Sequence, residues 1–265
     1  MKEKTLSVIL PLHYIDDNVK QLFENAINSI HNQIQKPDEL IVVVPKDSDV
    51  LEFTKNFDFK DLSVNIVEND GNTNFQNQVN LGVKNATTPW VSVLEVDDEY
   101  AKIWIDNFIK YKDAYEEVGV FLPITIETDV NSNFGGFTNE SVWAHQFADK
   151  LGFLDHDTLV GYTNYNLSGA MFKRELFEEY GYLKPNIEVS FMYEFLLRLT
   201  YNSVKVFTIP KFGYKHMNGR EGSLFKSYET KINPGDTKWW FSLAKKECYF
   251  KEPRELDEQP EQTHG

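Results

Sequence analysis

A single cysteine, Cys248, stands in a chain of 265 residues. The chain therefore closes no internal disulfide and offers no cysteine cluster for zinc. No apolar run approaches the ~20 residues of a bilayer-spanning helix. The opening MKEKTLSVILPLHYIDD has too short an apolar run before its acids to read as a secretory signal. Positive charge is also scarce. There are 27 Lys and Arg against 41 Asp and Glu, for a net charge of −14. Nucleic-acid affinity comes from neutralising phosphates, so this balance disfavours a general nucleic-acid binder, although a local basic groove is compatible with it. An anionic substrate would need a metal or a few placed basic groups to offset the field. These features lead to the expectation of a soluble, cytoplasmic protein. What the chain has in quantity is core: 41% of it is hydrophobic and 14% aromatic. That suits one large domain or two small ones and excludes a disordered body.

Apolar runs and helical stripes alternate along the first hundred residues. LSVILPL at 6–12 and ELIVVV at 39–44 read as buried strands, each stopped by a proline, Pro11 or Pro45. Between them Val19, Leu22, Phe23, Ala26, Ile27, Ile30 and Ile34 form a helical stripe that Asp16 or Asp17 can cap. A short helix over 50–57, a strand over 62–67, a helix over 75–85 and a strand over 90–94 follow. This order predicts an α/β fold with a mostly parallel sheet and right-handed crossovers. Further on, the pattern predicts a helix from 100 to 117 and a strand over 118–126. A glycine-hinged polar lid at 129–138, turning on Gly135 and Gly136, comes next, with a short helix over 140–150. Then come a strand over 167–172, helices over 174–180 and 190–201, a strand over 204–209 closed by Pro210, a polar loop over 215–223 and a C-terminal helix over 237–250. Residues 251–265 have the composition of a disordered tail.

The stretch VSVLEVDDEY at 91–100 runs from a buried strand into Glu95, Asp97, Asp98 and Glu99. Clustered carboxylate oxygens suit a hard divalent cation such as Mg²⁺ or Mn²⁺, and they also suit a plain solvated turn. Strand alternation puts Glu95 and Asp97 on one face and turns Asp98 away. The carboxyl end of a parallel strand is where such sheets bind ligands, which favours the functional reading.

Several segments, in order from about Thr5 to Ser223, resemble GT-A-fold glycosyltransferases of family 2. They are LSVILPLHY, ELIVVV, NQVNLGVKNATTPWVSVLEVDD, NLSGAMFKRELFEEYGYL and MYEFLLRL. The resemblance implies a GT-A (Rossmann-like) mixed sheet flanked by helices. Residues 1–100 would form the nucleotide-sugar-binding half and 101–225 the acceptor half, with a C-terminal helix and tail at 226–265. It implies metal-dependent, inverting transfer of a sugar from a nucleotide-sugar, UDP by default, to a hydroxyl acceptor such as a glycan. Physically, a divalent metal would neutralise the leaving diphosphate and a carboxylate would take the acceptor's proton.

Carried over by position, Pro11, Leu12 and His13 would line the nucleoside pocket, with Asn80 and Gly82 in the sugar-nucleotide region. Asp97 would be the first metal ligand and His216 a second, with Glu95 and Asp98 supporting. Arg220 or Lys215 would meet phosphate. Gly169 would let an acceptor or sugar approach. Trp143, Trp239 and Trp240 could stack on sugar, core packing being the competing role for the tandem pair. Three departures stand out. The second strand ends in Val44-Pro45, with Asp47 and Asp49 only beyond it, where the family has an acid for the base. Val79 replaces a basic residue. Phe191 and Met192 occupy the place of the Glu-Asp pair that supplies the catalytic base. Glu188 or Glu194 would have to substitute, and Glu188 is favoured because a loop residue can move into the cleft. Two other readings stay open: a non-catalytic binding or structural protein of the same fold, and a virus- or phage-type enzyme acting on a modified DNA base.

Overall fold

The computed structural model describes residues 4–72, 74–223 and 234–256. Its centre is two fully buried strands, β1 (Leu6–Pro11) and β2 (Glu39–Pro45), paired in parallel. β3 (Val64–Asn69) extends the sheet beyond β2, and β4 (Trp90–Val93) lies on the other side of β1, all parallel. The crossovers are α1 (Asp17–His31), α2 (Asp49–Asn56) and α3 (Phe75–Asn85). Asp16 caps α1 by accepting from Val19 N–H at 2.7 Å. The stripe of Val19, Phe23, Ala26, Ile27 and Ile30 then lies buried against the sheet. Each such large apolar side chain contributes roughly 1.5–3 kcal/mol relative to exposure. On the opposite face α3 packs close to β1 at Gly82, where a Cβ would sit 2.4 Å from Ile9 Cγ2.

The second half continues the same sheet. After β5 (Glu99–Tyr100) come α4 (Trp104–Ala114), β6 (Val118–Thr128) and β7 (Phe134–Thr138). A 3₁₀ turn (Glu140–Trp143), β8 (Phe153–Leu154), α5 (His156–Gly161), β9 (Met171–Lys173) and α6 (Glu175–Tyr180) follow. The last elements are α7 (Phe191–Tyr201), β10 (Lys205–Met217) and α8 (Pro234–Glu247). The sheet order is β3-β2-β1-β4-β9-β6-β10-β5, with β7 paired to β6 and β8 to β10. β9 is antiparallel to both β4 and β6, so the sheet is mixed. Among the described residues no helix is long and apolar enough to cross a membrane.

Four expectations are corrected. The strand expected to close at Pro210 runs on to Met217. A register shift between Thr208 and Phe212 accommodates the missing N–H of Pro210. The expected lid at 129–138 is a hairpin: β7 pairs antiparallel with β6, and Asp129 closes the turn by accepting from Asn131 and Asn133 N–H. The helix over 140–150 reduces to the 3₁₀ turn. Residues 251–256 are mostly exposed but tethered to the body. The Lys251 carbonyl accepts from Arg198, and Arg254 pairs with Glu247 at 2.6 Å. The remainder of the expected tail lies outside the described residues.

Candidate active site

Four elements converge where β1 and β4 end. β4 stops at Val93, and Glu95 to Asp98 form a turn closed by Asp98 N–H donating to the Glu95 carbonyl at 3.1 Å. A turn brings positions i and i+3 together, so Glu95 and Asp98 converge. The i, i+2 pairing expected from strand alternation does not occur. β10 carries His216 into the same place. Its Nδ1 donates to Asp98 Oδ2 at 2.8 Å, and Met217 N–H donates to Asp98 Oδ1 at 2.8 Å. Glu95, Asp98 and His216 each present one donor atom within 4.8 Å of the others.

Asp97 faces the other way. Its carboxylate accepts from Arg220 Nε at 2.6 Å, and Arg220 Nη1 donates to the Tyr14 hydroxyl at 2.6 Å. Asp97, expected as the first metal ligand, thus pairs with a guanidinium while lining the same cleft, and Asp98 is the acid grouped with Glu95 and His216. Lys215, expected in a loop, lies on β10 and pairs with Glu99 at 3.1 Å.

The electrostatics follow from burial. Loss of water, with Asp98 close by, pushes the Glu95 carboxyl up to about 7. Burial also raises Asp98, against the pull of His216. Burial opposes charge on His216, but the Asp98 carboxylate against Nδ1 outweighs it and holds the imidazole well above its usual value. Two acids held close together, Asp98 buried and Glu95 half-buried at the cleft, form with an imidazole a donor set that a divalent cation would relieve and that suits Mn²⁺ or Mg²⁺. Burial and the nearby Arg220 depress His13, leaving it neutral at pH 7.

A cleft of about 280 Å³ opens over this cluster. Pro11 and His13 line it from the end of β1, Glu95 and Asp97 from the turn after β4, and Asn74 and Phe75 from the start of α3. Phe191, His216 and Arg220 complete the wall, Arg220 from the loop after β10.

Other expected site residues lie elsewhere. Leu12 is buried in the core. Both ends of the Asn80 amide are used on the Leu183 backbone, at 2.8 and 3.0 Å, so it ties α3 to the loop after α6. Gly82 serves helix-on-strand packing. Gly169, at φ +73°, packs under the Tyr214 ring, and its carbonyl accepts from Trp104 Nε1. Glu194 is fully buried in an ion cluster with Lys184 and Arg198 and lines neither the cleft nor the cavity beside it. Glu188 is exposed and outside both the cleft and the cavity beside it. Trp240 is in the core, and Trp143 packs on Phe207. Tyr14, Ser168 and Tyr214 were missed. Ser168 donates to Glu95 Oε1 at 2.6 Å, and Glu95 N–H donates to the Tyr214 hydroxyl. Only the Tyr14 position carried a signal, being next to His13.

The model of the glycosyl transferase family 2 matches residues 7–181. The chain belongs to glycosyl transferase family 2. A Haemophilus influenzae protein described as an uncharacterized glycosyltransferase is 23% identical over 130 residues, 48% of this chain and 40% of that protein. The chain thus spans under half the length of this curated relative. Among solved structures, S. aureus TarS 1–349 in complex with UDP-GlcNAc superposes with a TM-score of 0.63 at 16% identity, covering 84% of this chain and 61% of TarS. Its complex with UDP gives 0.61 at 14% identity, covering 89% and 78%. At this identity the likeness is one of fold, and that fold is GT-A.

Proposed function

We propose that this family 2 domain transfers a sugar from a UDP-sugar to a hydroxyl acceptor, with inversion, using a divalent cation held by Glu95, Asp98 and His216. The observation that carries the reading is this carboxylate–imidazole cluster, open to a cleft at the carboxyl ends of β1 and β4. A cation bound there supplies charge neutralisation for the diphosphate leaving group. The chain's own groups do the rest. Arg220, held by Asp97 and Tyr14, presents a fixed guanidinium to phosphate. Neutral His13 and Pro11 offer a flat, weakly polar wall to the nucleoside. Asp98 meets the His216 ring at Nδ1 and is itself held by Met217 N–H, and a cation bound among Glu95, Asp98 and His216 would take the place of the proton that the imidazole and the carboxylate share. Single displacement at the anomeric carbon inverts its configuration.

Phe191 lines the cleft where the family resemblance has a carboxylate, and it packs on Phe75 with centroids 5.8 Å apart. That favours, as a second reading, a domain that binds the nucleotide without turnover. Thermal shift with UDP, with and without Mn²⁺, tests the donor site. At a hundredfold excess over Kd a bound ligand adds about 2.7 kcal/mol of stability. A melting point that UDP does not move, with Mn²⁺ present, refutes the donor assignment. UDP binding without release of UDP from any UDP-sugar favours the second reading.

A further inference from the structure

Beside the cleft lies a second cavity of about 450 Å³, and His216 and Asn218 line both. The β6–β7 hairpin, the loop before β9, the start of α7 and Phe241 of α8 form its walls. Its described lining contains one carboxylate, Glu127, and no lysine or arginine. The remaining surface is amide, hydroxyl and aromatic, including Asn164, Asn166, Tyr165 and Phe137. Phe137 continues outward, stacked on Phe212 at 5.2 Å and 18° between planes, and both rings are exposed.

We propose that this cavity holds an uncharged, hydroxyl-bearing acceptor of saccharide type, and that Glu127 is the base that receives the proton of its attacking hydroxyl. The inference rests on the donor reading above. Glu127 is aligned with His216 in the parallel β6–β10 ladder, which places it beside the donor cluster. Its carboxylate is oriented: Thr138 Oγ1 donates to Oε1 at 3.0 Å and Asn218 Nδ2 to Oε2 at 2.6 Å. A carboxylate has about four acceptor positions, so two such bonds still leave room for a substrate hydroxyl.

The alternatives are spent or misplaced. Phe191 and Met192 cannot accept a proton. Glu194 neutralises buried cations, Glu188 lies outside both linings, and Glu95 belongs to the donor cluster. An anionic acceptor such as DNA finds no lysine or arginine in this cavity's described lining to meet its phosphates, and the chain's net charge of −14 repels it. Aromatic faces with a few placed amides suit the apolar face and hydroxyls of a sugar ring.

In the step, the acceptor oxygen attacks the anomeric carbon and forms the glycosidic bond. The bond from that carbon to the phosphate oxygen breaks, and its electron pair leaves on UDP. The hydroxyl proton passes to the Glu127 carboxylate and then to solvent.

The test uses the full chain with Mn²⁺ and a set of UDP-hexoses. UDP release is followed with water, neutral oligosaccharides or a hydroxymethylated oligonucleotide as acceptor. In parallel, the UDP-induced thermal shift is measured. Glu127→Gln keeps the shape and one accepting oxygen. It is expected to leave the UDP shift and donor KM unchanged and to lower kcat by roughly 10²–10⁴-fold, the usual contribution of a positioned base. Glu127→Asp is expected to recover at least about tenfold of that loss, as a retained carboxylate should. A residue that merely held Thr138 and Asn218 would tolerate Gln. Turnover in Glu127→Gln within about threefold of wild type, with the UDP shift intact, overturns the base assignment. Preference for the oligonucleotide overturns the acceptor class. A wild-type chain that binds UDP but releases none from any donor also overturns the proposal. A wild-type chain that does not bind UDP fails earlier, at the donor reading, and takes the inference with it.

Discussion

Replacing Glu194 by alanine separates a structural acid from a catalytic one. Glu194 sits at 0% exposure between Lys184 Nζ at 3.0 Å and Arg198 Nη2 at 3.0 Å, and both cations are themselves buried. Removing one partner of a buried ion pair costs about 3–5 kcal/mol, because the other charge is left without water or a counterion. Two features soften the loss here. Lys184 also donates to the Glu247 carbonyl at 2.6 Å and has Glu247 Oε2 at 3.9 Å. Burial already depresses its pKa, so it can shed its proton. Arg198 keeps bonds to the carbonyls of Tyr180, Tyr182 and Lys251. The expected cost is therefore at the low end, about 3 kcal/mol. For a domain of this size that is roughly 6–12 °C in melting temperature. Calorimetry and urea unfolding measure it, with UDP binding followed alongside. Replacing the cluster together, as Glu194→Leu with Lys184→Met and Arg198→Met, should cost less than Glu194→Ala alone, since no charge is stranded. A Glu194→Gln protein that melts within about 2 °C of wild type but turns over a hundredfold more slowly would refute the structural assignment.

Two further outcomes follow from the site. Burial raises the folded-state pKa of Glu95 to about 7, so the stability it contributes is present at low pH and is lost as pH rises through that value. The metal-free protein should therefore lose melting temperature between about pH 5 and 8, and added Mn²⁺ should restore more at pH 8 than at pH 6. An equal Mn²⁺ gain at both values would argue that Glu95 is not a ligand. Gly169→Ala would place a Cβ 2.2 Å from Tyr214 Cδ2 at a φ of +73°. Overpacking and left-handed strain together predict a loss of about 2–4 kcal/mol. Because the Tyr214 hydroxyl accepts from Glu95 N–H, Mn²⁺ affinity should fall as well, readable by titration calorimetry.

Much of the sheet was legible because its signals are local. β1 and β2 are apolar at nearly every position, the stripe of α1 repeats at helical spacing, and Asp16 caps that helix from one residue away. The misreadings have physical causes. Pro210 looks like a stop, yet an irregular register in β10 absorbs it and carries the strand to His216. Gly135 and Gly136 look like a hinge, yet β6 pairs with Gly136 and Phe134, and Gly135 sits in the register shift between them. Asn80 and Glu194 match family positions, but the loop at 183–184 approaches both and uses their polar atoms for packing.

The carboxylates after β4 show the division most clearly. The sequence by itself determined that a buried parallel strand ends in Glu95, Asp97 and Asp98, at the sheet edge where ligands bind, because burial and periodicity depend on neighbours along the chain. Only the tertiary structure decided which partner each acid meets. A turn turns Glu95 and Asp98 inward together. The crossing of β10 then delivers His216 to Asp98 across 118 residues, and the loop after it delivers Arg220 to Asp97 across 123. Those partners have no signature at short range, since a charge finds its counterion through the sheet order rather than through the spacing of residues.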